Sequence, residues 1–246
     1  MNKITLSILI VLIFGFIGLT TWSMTKTDNT KIDYEKYDLY SVIGETDAEN
    51  VADDGSISYD NGGIADHVKG NKDAKVLIYE YADYQCPGCA TVNPWINALL
   101  EEYTNGEVGI VYRTFLLSYH QNAKAAAAAA EAAGLQGYWK KYGDLLFANQ
   151  EEWEYAEATE RGAYFTEYFN TVSNGEGDVE QFQKDMESDN VIKKVEFDVG
   201  LANRVGIEAT PAFYIDGELI DWYDEANTKS TFVEYFKNLI DAKLAE

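Results

Sequence analysis

The chain has 246 residues, 46% of them hydrophobic and 14% aromatic, enough for one sizeable domain or two small ones and too apolar for a disordered polypeptide. Its 42 acidic and 19 basic residues leave a formal charge of −23. That balance argues against nucleic acid or an anionic lipid surface as a partner, because both would be repelled.

The first element is apolar. Ile4 to Leu19 is interrupted only by Thr5, Ser7 and two glycines, and with Trp22 at its far edge it would be about 28 Å long as a helix, enough to cross a bilayer core. Lys3 and the amino terminus precede it, which favours export of the remainder. Residues 1–24 are therefore expected to form an uncleaved, single-pass membrane anchor with the rest on the extracytoplasmic side. A cleaved signal peptide is the competing reading, although Leu19 to Met24 offers no A-x-A site. Residues 25–63, acidic and ending in Asn61-Gly62-Gly63, read as a tether.

Residues 64–246 carry the domain. Val76 to Tyr81 is rich in β-branched and aromatic residues and reads as a buried strand. A helix should follow, since Val92, Trp95, Ile96, Leu99 and Tyr103 recur at helical spacing, with Pro94 kinking it. Gly109 to Leu117 is the next expected strand. A long helical region, an insert over about 119–206, begins with the alanine run Ala125 to Ala130. It breaks at Ser173 to Asp178 and closes with the stripe Val191, Val195, Val199, Ala202, Val205 before Gly206. Ala212 to Ile215, the turn Asp216-Gly217 and Leu219 to Tyr223 read as a hairpin, and Thr228 to Ala245 as a last amphipathic helix. This order predicts an α/β fold whose βαβ unit resumes after the insert.

The chemistry is concentrated in Cys86-Pro87-Gly88-Cys89, which holds both cysteines of the chain. A disulfide here closes a loop too short to stabilise the whole chain by loop entropy. Zinc would need two more ligands, and His67 and His120 stand at no zinc-like spacing. At a helix start, Cys86 would face unpaired amides that favour its thiolate, Pro87 would suit the opening turn, and Cys89 would lie deeper and resolve a mixed disulfide.

The stretch from Val76 to Cys89, VLIYEYADYQCPGC, together with Gly206 to Gly217, GIEATPAFYIDG, resembles the DsbA family of thiol-disulfide oxidoreductases. Asp66-His67-Val68-Lys69-Gly70 is similar to that family's lead-in. The resemblance implies a thioredoxin fold with a large helical insertion and an enzyme whose redox centre is the Cys86–Cys89 disulfide, with no other cofactor and no metal. It implies that Thr210-Pro211 is the cis-proline dipeptide that presents backbone to a substrate peptide. Glu80 would be the buried acid exchanging protons with Cys89, its burial raising its pKa, unless it sits exposed on a strand edge. Pro94 would be structural.

The implied activity is the introduction of disulfides into reduced or unfolded exported proteins, with a membrane partner of the DsbB or VKOR type for reoxidation. A reductase or isomerase on the same fold, or a non-enzymatic metal carrier or chaperone, are the alternatives. One departure is Pro87-Gly88 in place of a dipeptide containing histidine, which predicts a less oxidising disulfide. His120 reads as a capping or packing residue, and it lacks the proline that often follows in the family.

Overall fold

Residues 61–246 are the part of the chain described by the computed structural model. The expected anchor over 1–24 and nearly all of the tether lie outside them, and no helix among the described residues is long and apolar enough to cross a membrane. Five strands form one mixed sheet in the order β1-β3-β2-β4-β5: β1 His67–Gly70, β2 Val76–Ala82, β3 Val108–Thr114, β4 Ala212–Ile215 and β5 Glu218–Leu219. Only β2 and β3 run parallel, joined by the crossover helix α1, Pro87–Glu101. The other pairings are antiparallel.

Strand alternation divides the core in two. Val76, Ile78, Ile110, Phe213 and Ile215 face α1 and the last helix, α8 (Lys229–Leu244), meeting Val92, Ile96 and Leu99 of the first and Phe232, Phe236 and Ile240 of the second. Tyr79, Tyr81 and Val111 face the helical insert. That insert comprises α2 (Ala123–Leu135), α3 (Trp139–Ala148), the single turn α4 (Gln150–Trp153), α5 (Ala158–Ser173), α6 (Val179–Met186) and α7 (Asp189–Arg204). The alanine run lies in α2, where Ala126, Ala127, Ala129 and Ala130 are buried. Small side chains there let the helix approach its neighbours closely. The break at 173–178 is an end of helix with Asn174 in the left-handed region, followed by Asp178 capping α6 through the Gln181 amide.

Three expectations change. β1, read only as a lead-in, is a strand that pairs with β3. The strand expected over 109–117 stops at Thr114: the Phe115 amide still reaches the Ala82 carbonyl at 2.8 Å, and the chain then leaves the sheet. The second arm of the hairpin is only Glu218–Leu219, although Asp216 and Gly217 adopt the positive φ values that a tight hairpin turn needs. Beyond Ile220, whose amide bonds the Phe213 carbonyl, Trp222 turns inward against Phe213 and Phe232, and burying that ring overrides its strand propensity.

A buried charge network joins the insert to the sheet. Arg113 of β3 pairs with Asp66 at 2.6 Å and Asp198 of α7 at 2.9 Å, while Lys194 of α7 reaches the same two carboxylates at 3.0 and 2.7 Å. All four side chains are essentially inaccessible to solvent.

Candidate active site

The site lies at the C-terminal end of β2, where the chain turns into α1. Cys86 is the N-cap of that helix, in extended conformation, and Pro87 opens it at a position where a missing amide costs nothing. The two sulfurs differ in environment: Cys86 is 7% exposed and Cys89, one turn into the helix, 0%. The Cys86 thiol is lowered to about 6 by hydrogen bonding with the Cys89 thiol, against the opposing effect of burial, with help from Thr210 and the amides of Cys89 and Gly88. Burial, and then the neighbouring Cys86, push the Cys89 thiol well above the ordinary range. A thiol that favours its thiolate and one that keeps its proton are thereby placed side by side.

The Thr210–Pro211 bond is cis, and the Cys86 thiol donates to the Thr210 carbonyl at 3.4 Å. Gly88 keeps this face open: a Cβ there would meet Pro211 Cδ at 3.4 Å and Cys86 Sγ at 3.6 Å, ordinary contact distances. Thr210, Pro211, Cys86, Pro87 and Gly88 thus converge on one patch.

Glu80 is 1% exposed, in register between Tyr112 of β3 and Phe213 of β4, on the face that α1 covers. The strand-edge alternative is therefore excluded. Burial raises its carboxyl to about 7, an effect moderated by Lys69 and reinforced by Asp144. Oε2 has no hydrogen-bond partner within the protein, and the Glu80 charge is one of the influences that raise Cys89. A carboxyl with these properties can hold or release a proton near neutrality beside Cys89.

Most of the groups that support this centre carry no sequence expectation, His120, expected to cap or pack, being the exception. Lys69, buried on β1, donates to Asn93 of α1, whose amide in turn reaches Asp144 of α3 at 2.9 Å. Asp83 is fully buried and accepts from the amides of Gln85 and Leu117 at 2.8 and 3.0 Å and bonds His120 Nδ1 at 2.8 Å. His120 thus fastens the loop after β3 to the cysteine motif. Gln85 donates to the Glu154 carbonyl and accepts from the Asn122 amide, while the Asn122 side chain donates to the carbonyls of Trp153, Glu154 and Ala156. Apart from the Asp83–Gln85 turn, these contacts span 24 to 69 positions, and the local signal was a polar residue among apolar ones.

Residues 63–240 match the profile of the thioredoxin family. The chain belongs to that family. Among solved structures of this fold, it is similar to BdbD from Bacillus subtilis at 21% identity and a TM-score of 0.60, covering 73% of this chain and 92% of that one. It is also similar to alpha-DsbA1 of Wolbachia pipientis at 23% identity and a TM-score of 0.56, covering 72% and 89%. The fold of this thioredoxin-family chain is therefore DsbA-like. Curated relatives include the Na(+)/H(+) antiporter NhaA 3 of Salinispora tropica, 33% identical over 153 residues, which is 62% of this chain and 22% of the antiporter. NhaA of Herminiimonas arsenicoxydans is 30% identical over 174 residues, 69% of this chain and 25% of its own length. The chain spans a quarter or less of these relatives.

Proposed function

We propose that the chain is an extracytoplasmic protein thiol-disulfide oxidoreductase that donates its Cys86–Cys89 disulfide to reduced, exported proteins. The observation that carries this reading is the inequality of the two sulfurs, one slightly accessible beside Thr210–Pro211 and favouring its thiolate, the other fully buried beside Glu80.

In the first step a client thiolate attacks Cys86 Sγ. A client–Cys86 disulfide forms, the Cys86–Cys89 bond breaks, and Cys89 departs as a thiolate that takes a proton from Glu80. A second client thiolate then attacks the client's own sulfur in the mixed disulfide, and Cys86 leaves as a thiolate. Two client thiols are oxidised to one disulfide, and the enzyme pair holds the two electrons. The low pKa of Cys86 assists the second step, because a stable thiolate is the better leaving group. A value of about 6 lies toward the upper end of the range of roughly 3.5 to 7.5 for activated cysteines, which supports a moderate oxidant. The couple itself is the only redox cofactor this scheme needs. Reoxidation would fall to a membrane partner of the DsbB or VKOR type, reached through an anchor at residues 1–24.

The test is oxidative refolding of a reduced, denatured disulfide protein by the full chain. Cys86→Ala should lose the activity, and Cys89→Ser, which has no disulfide of its own to donate, should accumulate a mixed disulfide at Cys86 when it is given a client that already carries a disulfide, because no resolving thiol is left to release it. Full activity in Cys86→Ala would remove the enzymatic reading. The equilibrium constant of the pair with glutathione decides direction, and a strongly reducing value would replace the donor role with a reductase.

A further inference from the structure

The loops around the sulfurs contain no positive charge. Residues 83–100, 115–123, 150–160 and 205–228 include neither lysine nor arginine. These are the segments that meet at the site: 115–123 is fastened through Asp83, 150–160 through Gln85 and Asn122, and 205–228 carries Thr210–Pro211. The part of the last segment beyond Ile220 runs back beside Phe213 toward the Pro211 end of β4. Two cations adjoin these segments: Lys124 pairs with Glu196, while Arg161 donates to the neutral side chain of Asn122 within 115–123, so its charge stands at the edge of these loops and is outnumbered there by the carboxylates.

Acidic side chains occupy the same loops. Glu157, Glu208, Asp221, Asp224 and Glu225 are exposed, and Glu154 is half-buried with its carbonyl on Gln85. A second feature accompanies them. Among the described residues four large hydrophobic side chains are exposed, and three are tyrosines of these loops: Tyr119, Tyr155 and Tyr223, each about 70% accessible or more. Exposed aromatic rings beside carboxylates favour one kind of group, since cations are drawn both to the ring face and to the carboxylate.

We infer that the site selects cationic clients: cysteine-bearing, unfolded segments with lysine or arginine near the reacting thiol. This rests on the exchange reaction proposed above and names its substrate class. The acidic loops would raise the local concentration of such segments and repel anionic thiols, an effect that acts on the association rate and is screened by salt. The tyrosines would hold the cationic side chains once the segment has arrived.

The experiment uses the oxidised full chain and two synthetic peptides, each with one cysteine, one flanked by arginines and the other by glutamates. The rate of mixed-disulfide formation at Cys86 is measured at low and high ionic strength. Each rate is divided by that of the same peptide with a small neutral disulfide, which removes the peptides' own difference in thiol reactivity. At low salt the arginine peptide should react at least about 10-fold faster, and the ratio should fall several-fold at high salt. The quadruple variant Glu154→Lys, Glu157→Lys, Asp224→Lys, Glu225→Lys should lose or invert the preference. Equal normalised rates, or a preference that neither salt nor the variant changes, would overturn the inference while leaving the exchange reaction intact. If neither peptide reacts, the underlying functional reading fails instead.

Discussion

Gly88 marks the place where a single side chain would change the chemistry most directly. A Cβ at this position makes only ordinary contacts with Pro211 and Cys86 Sγ, so the first atom of a histidine side chain is accommodated in Gly88→His without moving backbone. The imidazolium would then stand beside the Cys86 thiolate and stabilise it. Alkylation of Cys86 by iodoacetamide should titrate with a midpoint near 6 in the parent, and the midpoint should drop by about one unit or more in Gly88→His. An unchanged midpoint would show that position 88 does not face the sulfur. Glu80 invites a different measurement. Its carboxyl is raised from 4.5 to about 7, so the folded state retains a proton that the unfolded chain has lost. Stability from this group is therefore full below pH 4.5 and declines as pH rises through 7, by about 3 kcal/mol in total. Glu80→Gln cannot ionise and should escape that decline. Urea unfolding of reduced protein at pH 4.5 and pH 8 should show the variant gaining on the parent by that amount.

At the scale of elements, what could be read in advance was local. The β2 strand, the α1 face, the alanine-rich α2 and the turn at Asp216-Gly217 all follow from runs of residues adjacent in sequence. The Cys86-Pro87-Gly88-Cys89 helix start is legible for the same reason, since cap, proline and cysteines lie within four positions. What escaped depends on distant partners. β1 is four residues long and is a strand only because β3 lies beside it, with His67 opposite Tyr112 and Lys69 opposite Ile110. The hairpin arm after Gly217 has the residue types of a longer strand, yet Trp222 is drawn beneath Phe213 and shortens it. Glu80 shows the limit most clearly. Its position before the cysteines was visible, but whether it was buried depended on which face α1 covers, and alternation alone does not name the face.

Over the whole molecule, insert and sheet are joined by charge as well as by apolar packing. Burial opposes ionisation of Asp198, but Lys194 and Arg113, with the Thr114 amide, hold its carboxyl below the usual range. Removing one member leaves its partners charged in a place that water does not reach. Arg113→Met, which keeps bulk and deletes the cation, should cost about 3–5 kcal/mol, read as a lowered urea midpoint. A loss under 1 kcal/mol would mean that the insert is held by apolar contact alone. The Asn122 contacts have a consequence of another kind. This amide grips the 153–156 loop only through backbone carbonyls, so the anchoring is indifferent to which side chains the loop displays. On the client selection inferred above, Glu154, Tyr155 and Glu157 would form an interchangeable faceplate on a redox centre that stays fixed. A change of clientele could be written there, or grafted there by design, without retuning either sulfur.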